Sequence, residues 1–243
     1  MDPSNYGYRE IGGIPTVVTS DHHYVLPHWE VSGLRDADLL HIDGHHDMCD
    51  GPEIRYSKIG HISSLNIGNF ICAAVHSGIV SSVYWFNPHA LNSHYAFFAP
   101  LQYFDSSKLQ TMVDDRERIS WKMRKNLWID RPQSEPVKSV AQSEVPLIVD
   151  IDLDAFCCRL HLHNMFDDYD GIHNWEDRIE KTMSLLRNIR APDMITVTRS
   201  EGYVSENGQD RLRFVPSDKV DKVQNRLLHG LAKIYERASV LIA

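Results

Sequence analysis

The 243-residue sequence has no apolar run of membrane-spanning length, no internal repeat and no low-complexity tract, so a membrane partner is not expected. Its four cysteines (Cys49, Cys72, Cys157 and Cys158) include no CxxC pair, and the adjacent Cys157 and Cys158 do not form an ordinary loop-closing bridge. Reduced, mostly buried thiols are the expectation. Basic excess is also missing. Lys and Arg number 25 against 33 Asp and Glu, a formal net charge of -8, which argues against nucleic acid as the main partner. The opening Met1-Asp2-Pro3-Ser4 lacks the basic-then-apolar pattern of a secretory signal, and a cytoplasmic location is expected. What remains is ordinary for a globular protein: 42% hydrophobic and 24% charged residues. That is enough chain for one full-size α/β core, and residues 1–243 are expected to form one domain.

Periodicity and punctuation predict strands at Ile14–Val18, 39–43, Ile79–Phe86, Val145–Ile151 and Met194–Val197. Helices are predicted over Leu65–Ser77, Glu176–Asn188 and Lys219–Ala238, with a short crossover around Trp29–Leu34. Residues 50–64 read as a loop over the site, 89–107 as aromatic and irregular, and 132–146 as a surface connection. This alternation predicts a three-layer α/β/α fold around a mainly parallel sheet. Binding sites in such sheets lie at the carboxyl ends of strands, and four polar clusters fall at predicted strand ends. They are Asp21-His22-His23, His41 to Asp47, Asp150 to Asp154, and Thr198 to Tyr203.

The central cluster is His41-Ile42-Asp43-Gly44-His45-His46-Asp47. On a strand, alternate residues share a face, so Asp43, His45 and Asp47 are expected to project together, with His46 turned away. Two carboxylates and an imidazole on one face are costly unless a cation sits among them. Asp150 and Asp152, with Asp154 on the same face, form a second acidic set. Hard carboxylate oxygens with imidazoles suit manganese, with iron, nickel or zinc as alternatives. Four carboxylates balance two divalent ions better than one.

Three of these clusters resemble the metal motifs of the ureohydrolases (arginase, agmatinase). Ser20-Asp21-His22-His23 resembles Gly-Asp-His-Ser, Asp43-Gly44-His45-His46-Asp47 resembles Asp-Ala-His-x-Asp, and Val149-Asp150-Ile151-Asp152 resembles Phe-Asp-Val-Asp. The chain as a whole is similar to a smaller group, the peptide arginases, through Asn66-Ile67-Gly68-Asn69-Phe70-Ile71, Asp150 to Phe156 and Arg199 to Tyr203. The resemblance implies an arginase-like fold and two Mn²⁺ per chain, held by His22, Asp43, His45, Asp47, Asp150 and Asp152. It implies hydrolysis of arginine side chains of a precursor peptide to ornithine and urea, as in the biosynthesis of ribosomally made natural products. Asp47 would take a proton from the attacking water and His61 would shuttle it. Glu201 would pair with the guanidinium, with Asn69 and His61 beside the substrate. Two departures stand out. Asp154 follows Asp152 at once and no Pro closes the motif, so the ligand pair is either Asp150/Asp152 or Asp152/Asp154. A loop gripping a free α-carboxylate is not recognisable between 48 and 64, which suits a peptide substrate. An amide hydrolase on the same fold, such as a zinc deacetylase, and a small-molecule ureohydrolase are the alternatives. Self-association into a homo-oligomer is compatible with the sequence.

Overall fold

The computed structural model describes residues 6–48, 54–55, 65–91, 101–105, 109–113, 118–123, 128–129, 134–158, 171–202 and 215–240. In chain order the elements are β1 (Gly7–Ile11), β2 (Ile14–Thr19), α1 (Val25–Ser32), β3 (Ala37–Ile42), β4 (Ile54–Arg55), α2 (Phe70–His76), β5 (Val80–Phe86) and β6 (Leu101–Asp105). There follow β7 (Leu109–Val113), β8 (Arg118–Met123), β9 (Trp128–Ile129), α3 (Ser134–Gln142), β10 (Leu147–Asp152), α4 (Trp175–Leu186), β11 (Met194–Thr198) and α5 (Val220–Val240). Eight strands make one sheet in the order β1-β2-β11-β10-β3-β5-β6-β9, and β4-β8-β7 make a second. The five central strands β2, β11, β10, β3 and β5 are parallel, and β1, β6 and β9 add antiparallel edges. The α/β fold with a mainly parallel sheet is thus as expected.

Strand periodicity divides the core into two layers. Leu40, Ile42, Val149, Ile151, Ile195 and Val197 face α4 and α5, where Ile179, Met183, Val223, Leu227 and Leu231 are buried. Ala37, Leu39, Ile148 and Met194 face the other way, onto Val25 and Trp29 of α1 and Phe70 to Ala74 of α2. Parallel strands β3 and β10, buried on both faces, explain the near-continuous runs Leu39-Leu40 and Leu147-Ile148-Val149.

Several expectations need correction. The segment 132–146 is not a plain connection, because it contains α3. Pro136 sits in the first turn, where its missing N–H costs no hydrogen bond, and Val140 is buried against the sheet. The irregular stretch 89–107 holds β6, and 108–131 holds β7, β8 and β9. These strands are two to six residues long, too short for a period to declare itself. The crossover at 29–34 belongs to α1, and α2 starts at Phe70, five residues after the predicted start. Asn66 and Asn69 cause the delay, since Asn69 Oδ1 accepts from Asn66 N at 2.9 Å and Asn66 Oδ1 accepts from Gly68 N at 2.9 Å. Strand β1 is an addition to the expected strands, joined to β2 through the two-residue turn of Ile11-Gly12-Gly13-Ile14. Cys72, Cys157 and Cys158 are buried, as expected, while Cys49 lies outside the described residues.

Gly12 has φ +58°, and a Cβ there would come within 2.5 Å of the Tyr235 backbone in α5. Gly13 has φ +83° and open space. Gly13→Ala should therefore cost about 1–2 kcal/mol, for left-handed strain alone. Gly12→Ala should cost more, because α5 must shift as well. Urea unfolding of both variants checks this, and equal losses would show that close packing of the hairpin under α5 is not what demands glycine.

Candidate metal centre

Strand β3 ends at Ile42, so Asp43 to Asp47 lie in a bend past the strand, and the period-2 argument for them does not apply. Three groups converge there all the same. The bend is held from β5 and the residue after it: Trp85 Nε1 donates to the Asp43 carbonyl at 2.9 Å and Asn87 Nδ2 donates to the Gly44 carbonyl at 3.1 Å. Asp47 takes φ +48°, a left-handed conformation unfavourable for a non-glycine residue, and this turns its carboxylate inward. Residues Leu153 to Ala155 form one 3₁₀ turn after β10, with Asp152 Oδ1 accepting from Asp154 N at 2.9 Å. His22 opens a 3₁₀ turn directly after β2.

His22 is the hub. It is 1% exposed and packs on Phe70 with ring centroids 4.6 Å apart. Its Nδ1 lies 3.1 Å from Asp43 Oδ2, 3.0 Å from Asp47 Oδ2 and 3.1 Å from Asp152 Oδ2. Its Nε2 faces Asp150 Oδ2 at 2.8 Å. On the other side of Asp43, His45 Nδ1 lies 3.5 Å from Asp43 Oδ1 and 3.0 Å from Asp154 Oδ2. Asp43 therefore faces two donor sets at once. Ser200, with φ +42°, donates its hydroxyl to Asp152 Oδ2 at 2.5 Å.

Electrostatics show what this arrangement lacks. Asp43, Asp47, Asp150, Asp152 and Asp154 are all buried within reach of three imidazoles. Burial, together with the charges of Asp154, Asp47 and Asp152, pushes the Asp43 carboxyl up to about 8. Burial and Asp154 push Asp152 up to about 6. Burial works against the His45 cation, but Asp154 and Asp43 outweigh it and push His45 up to about 12. Asp154, despite burial, is held down at about 2 by His45. His22 is likewise raised against its burial, chiefly by Asp150. Protons thus stand in for missing positive charge. His22 Nδ1 and Asp43 Oδ2 are buried without a hydrogen-bond partner of proper geometry. Oxygen and imidazole donors whose polar atoms are otherwise unsatisfied fit hard or borderline divalent cations. Donor atoms within 4.8 Å of one another include His22/Asp43/Asp152, His41/Asp43/Asp47 and Asp43/His45/Asp154.

Not every predicted site residue falls in this cluster. His61 lies outside the described residues. Asn69 is buried at the start of α2, where its Oδ1 serves the Asn66 turn. Glu201 follows β11, and its carboxylate lies 3.5 Å from the guanidinium of Arg199 in the same chain. His46 points away from the cluster, accepting from Met48 N and meeting Trp85 edge-on. His41, by contrast, joins the cluster although the motif pattern does not assign it a role. It is fully buried, with Nδ1 2.9 Å from Asp150 Oδ2 and Nε2 3.3 Å from Asp43 Oδ2. Its position two residues before Asp43 on β3 was the available signal.

No family model matches the sequence, and no curated protein matches it. Among solved structures, the chain is similar to a hypothetical agmatinase from Burkholderia thailandensis, at 12% identity and TM-score 0.48, covering 93% of this chain and 60% of that one. It is similar to proclavaminate amidino hydrolase from Streptomyces clavuligerus, at 11% identity and TM-score 0.46, covering 90% and 64%. It is also similar to arginase from Medicago truncatula, at 11% identity and TM-score 0.43, covering 90% and 59%. The chain therefore spans less than two thirds of the length of each.

Cation binding at this cluster must displace protons, because Asp43 holds one up to about 8 and Asp152 up to about 6. Affinity for Mn²⁺ should therefore rise between pH 6 and pH 8.5, with protons released on binding. Titration calorimetry in buffers of different ionisation enthalpy measures both. A pH-independent affinity with no proton release would rule out binding at these carboxylates.

Proposed function

We propose that the chain is a dinuclear divalent-metal hydrolase that converts peptidyl arginine to ornithine and urea. The observation that carries the metal part is the double exposure of Asp43, whose Oδ2 faces His22, while its Oδ1 faces His45. In this reading His22, Asp43, Asp47 and Asp152 hold one ion, and Asp43, His45 and Asp154 hold the other. Manganese suits a set so dominated by carboxylate oxygens. Two such ions would supply Lewis acidity and a water of lowered pKa.

The remaining work falls to the side chains. Asp47, at 8% the most exposed of the five carboxylates, is the one placed to pass a proton outward. His61 is proposed as the next acceptor. Glu201 is proposed to receive the substrate guanidinium as a bidentate partner. Its contact with Arg199 is the loosest that Arg199 makes, at 3.5 Å against 2.8 Å to Asp221 and 2.5 Å to Gln224. Glu201 can therefore turn to a substrate while Arg199 keeps its other partners. The peptide as substrate rests on the sequence resemblance and on the lack of a recognisable loop for a free α-carboxylate. The acidic net charge adds a weak attraction for a cationic residue, screened beyond about 8 Å at physiological salt.

Mass spectrometry of an arginine-containing peptide incubated with the Mn²⁺-loaded protein should show a loss of about 42 Da per converted arginine, the mass change of guanidinium hydrolysis. Asp43→Ala should abolish it. A kinetic preference for free arginine would reduce the reading to a small-molecule ureohydrolase, and removal of acetyl groups instead would make the chain a deacetylase.

Glu201→Gln should lower kcat/KM on the peptide by roughly tenfold or more while metal content holds. If it changes thermal stability but not kcat/KM, Glu201 serves Arg199 alone.

A further inference from the structure

Asp150 sits in the sheet where the motif resemblance expects a metal ligand, yet its surroundings give it different work. It lies on β10 opposite His41 of β3, on the face that carries α1 and α2. The side chain is fully buried, and both oxygens are in use. Oδ1 accepts from Thr196 Oγ1 of β11 at 2.6 Å, and Thr196 Oγ1 in turn accepts from Trp29 Nε1 of α1 at 3.3 Å. Oδ2 is shared by His22 Nε2 at 2.8 Å and His41 Nδ1 at 2.9 Å. An ion bound among His22, His41 and Asp150 would have to break both of these contacts. The side of His22 that faces Asp43, Asp47 and Asp152 needs no such loss, because Nδ1 has no hydrogen-bond partner there.

We propose that Asp150 is a positioning residue, not a metal ligand. Held by Thr196 and shared with His41, it fixes the His22 ring so that Nδ1 is presented to the cation. The Asp150 carboxylate can only accept, so the two imidazole nitrogens hydrogen-bonded to its Oδ2, His22 Nε2 and His41 Nδ1, carry protons. For His22 this places hydrogen on Nε2 and leaves the Nδ1 lone pair directed at the space between the Oδ2 atoms of Asp43, Asp47 and Asp152. Phe70 holds the ring from the side, with centroids 4.6 Å from His22 and 6.4 Å from His41. His41 has a second duty. Its Nε2 lies 3.3 Å from Asp43 Oδ2, so one imidazole spans from the rear carboxylate to the carboxylate shared by the two donor sets. Partners of this kind set the tautomer, orientation and basicity of a ligating histidine.

This inference rests on the metal-centre reading, and its test separates the two. Binding of Mn²⁺ and Zn²⁺ to the full chain is titrated, and the Zn²⁺-loaded protein is examined by long-range ¹⁵N–¹H correlation of its histidine rings. Wild type should bind two ions, with the His22 ring protonated on Nε2 and coordinated through Nδ1. Asp150→Ala should weaken one of the two sites roughly 10- to 100-fold and leave the other. It should also remove the single-tautomer signature of His22. Asp150→Asn keeps an amide oxygen for the imidazoles and should rescue part of the loss. Should Asp150→Ala fail to fold, Thr196→Val carries the same test at nearly equal volume, with a smaller loss in the same direction. Unchanged affinity and an unchanged His22 signature in the variant that folds would overturn the positioning role while leaving the metal centre intact. Loss of both ions in Asp150→Asn, matching Asp43→Asn, would make Asp150 a ligand and overturn it too. A wild-type protein that binds no divalent ion would overturn the metal centre itself, and this inference with it.

Discussion

Five aspartates packed out of water around three imidazoles are the constraint on which the rest depends. Isolated buried carboxylates cost several kcal/mol each unless paired or protonated. The chain relieves this in two ways at once. Asp150 is ionised and satisfied by three side-chain donors, which holds it below the ordinary carboxylate range despite its burial. Asp43 and Asp152 are instead pushed up, by burial first and then by the carboxylates around them, so that each loses its proton less readily than an ordinary carboxyl. The first arrangement describes a finished structural site. The second describes one that gains by exchanging protons for cations.

Sheet order explains why so much charge collects in one place. Strands β3 and β10 are neighbours at the centre, but the chain leaves β3 towards β5 and leaves β10 towards β11, on the opposite side. A crevice opens where connections diverge in this way. His22 after β2, the bend after β3, the 3₁₀ turn after β10 and Ser200 after β11 all end at that crevice. Two residues in unfavourable left-handed conformations, Asp47 and Ser200, also occur there, each delivering a polar group to the cluster. Such strain persists only where the surroundings hold it, here the Trp85 and Asn87 bonds to the bend and the Ser20 carbonyl that accepts from Ser200 N.

Beyond the cluster, the chain already contains a guanidinium bound to Glu201. Arg199 is 3% exposed and lies over the Tyr6 ring at 5.0 Å, tying β11 to α5 through Asp221 and Gln224. That Glu201 accepts a guanidinium from within the fold shows its setting is compatible with one.

The sequence by itself determined the elements whose residues repeat with a clear period: five parallel strands, α4 and α5, and the placing of polar clusters at strand ends. It named His22, Asp43, His45, Asp47, Asp150, Asp152 and Asp154 because carboxylates and imidazoles crowded after apolar runs have few other uses. Short strands β6 to β9 and helix α3 escaped, since a few residues cannot show a period above mixed composition. The division of labour within the acidic set was also out of reach. Asp150 and Asp152 share one strand face and look equivalent in the chain, and only the approach of Thr196, His41 and His22 from other elements separates them. Local spacing decides which way a side chain points. Whether the space it points into already contains a donor depends on strands brought together across more than a hundred residues, and that only the tertiary structure decided.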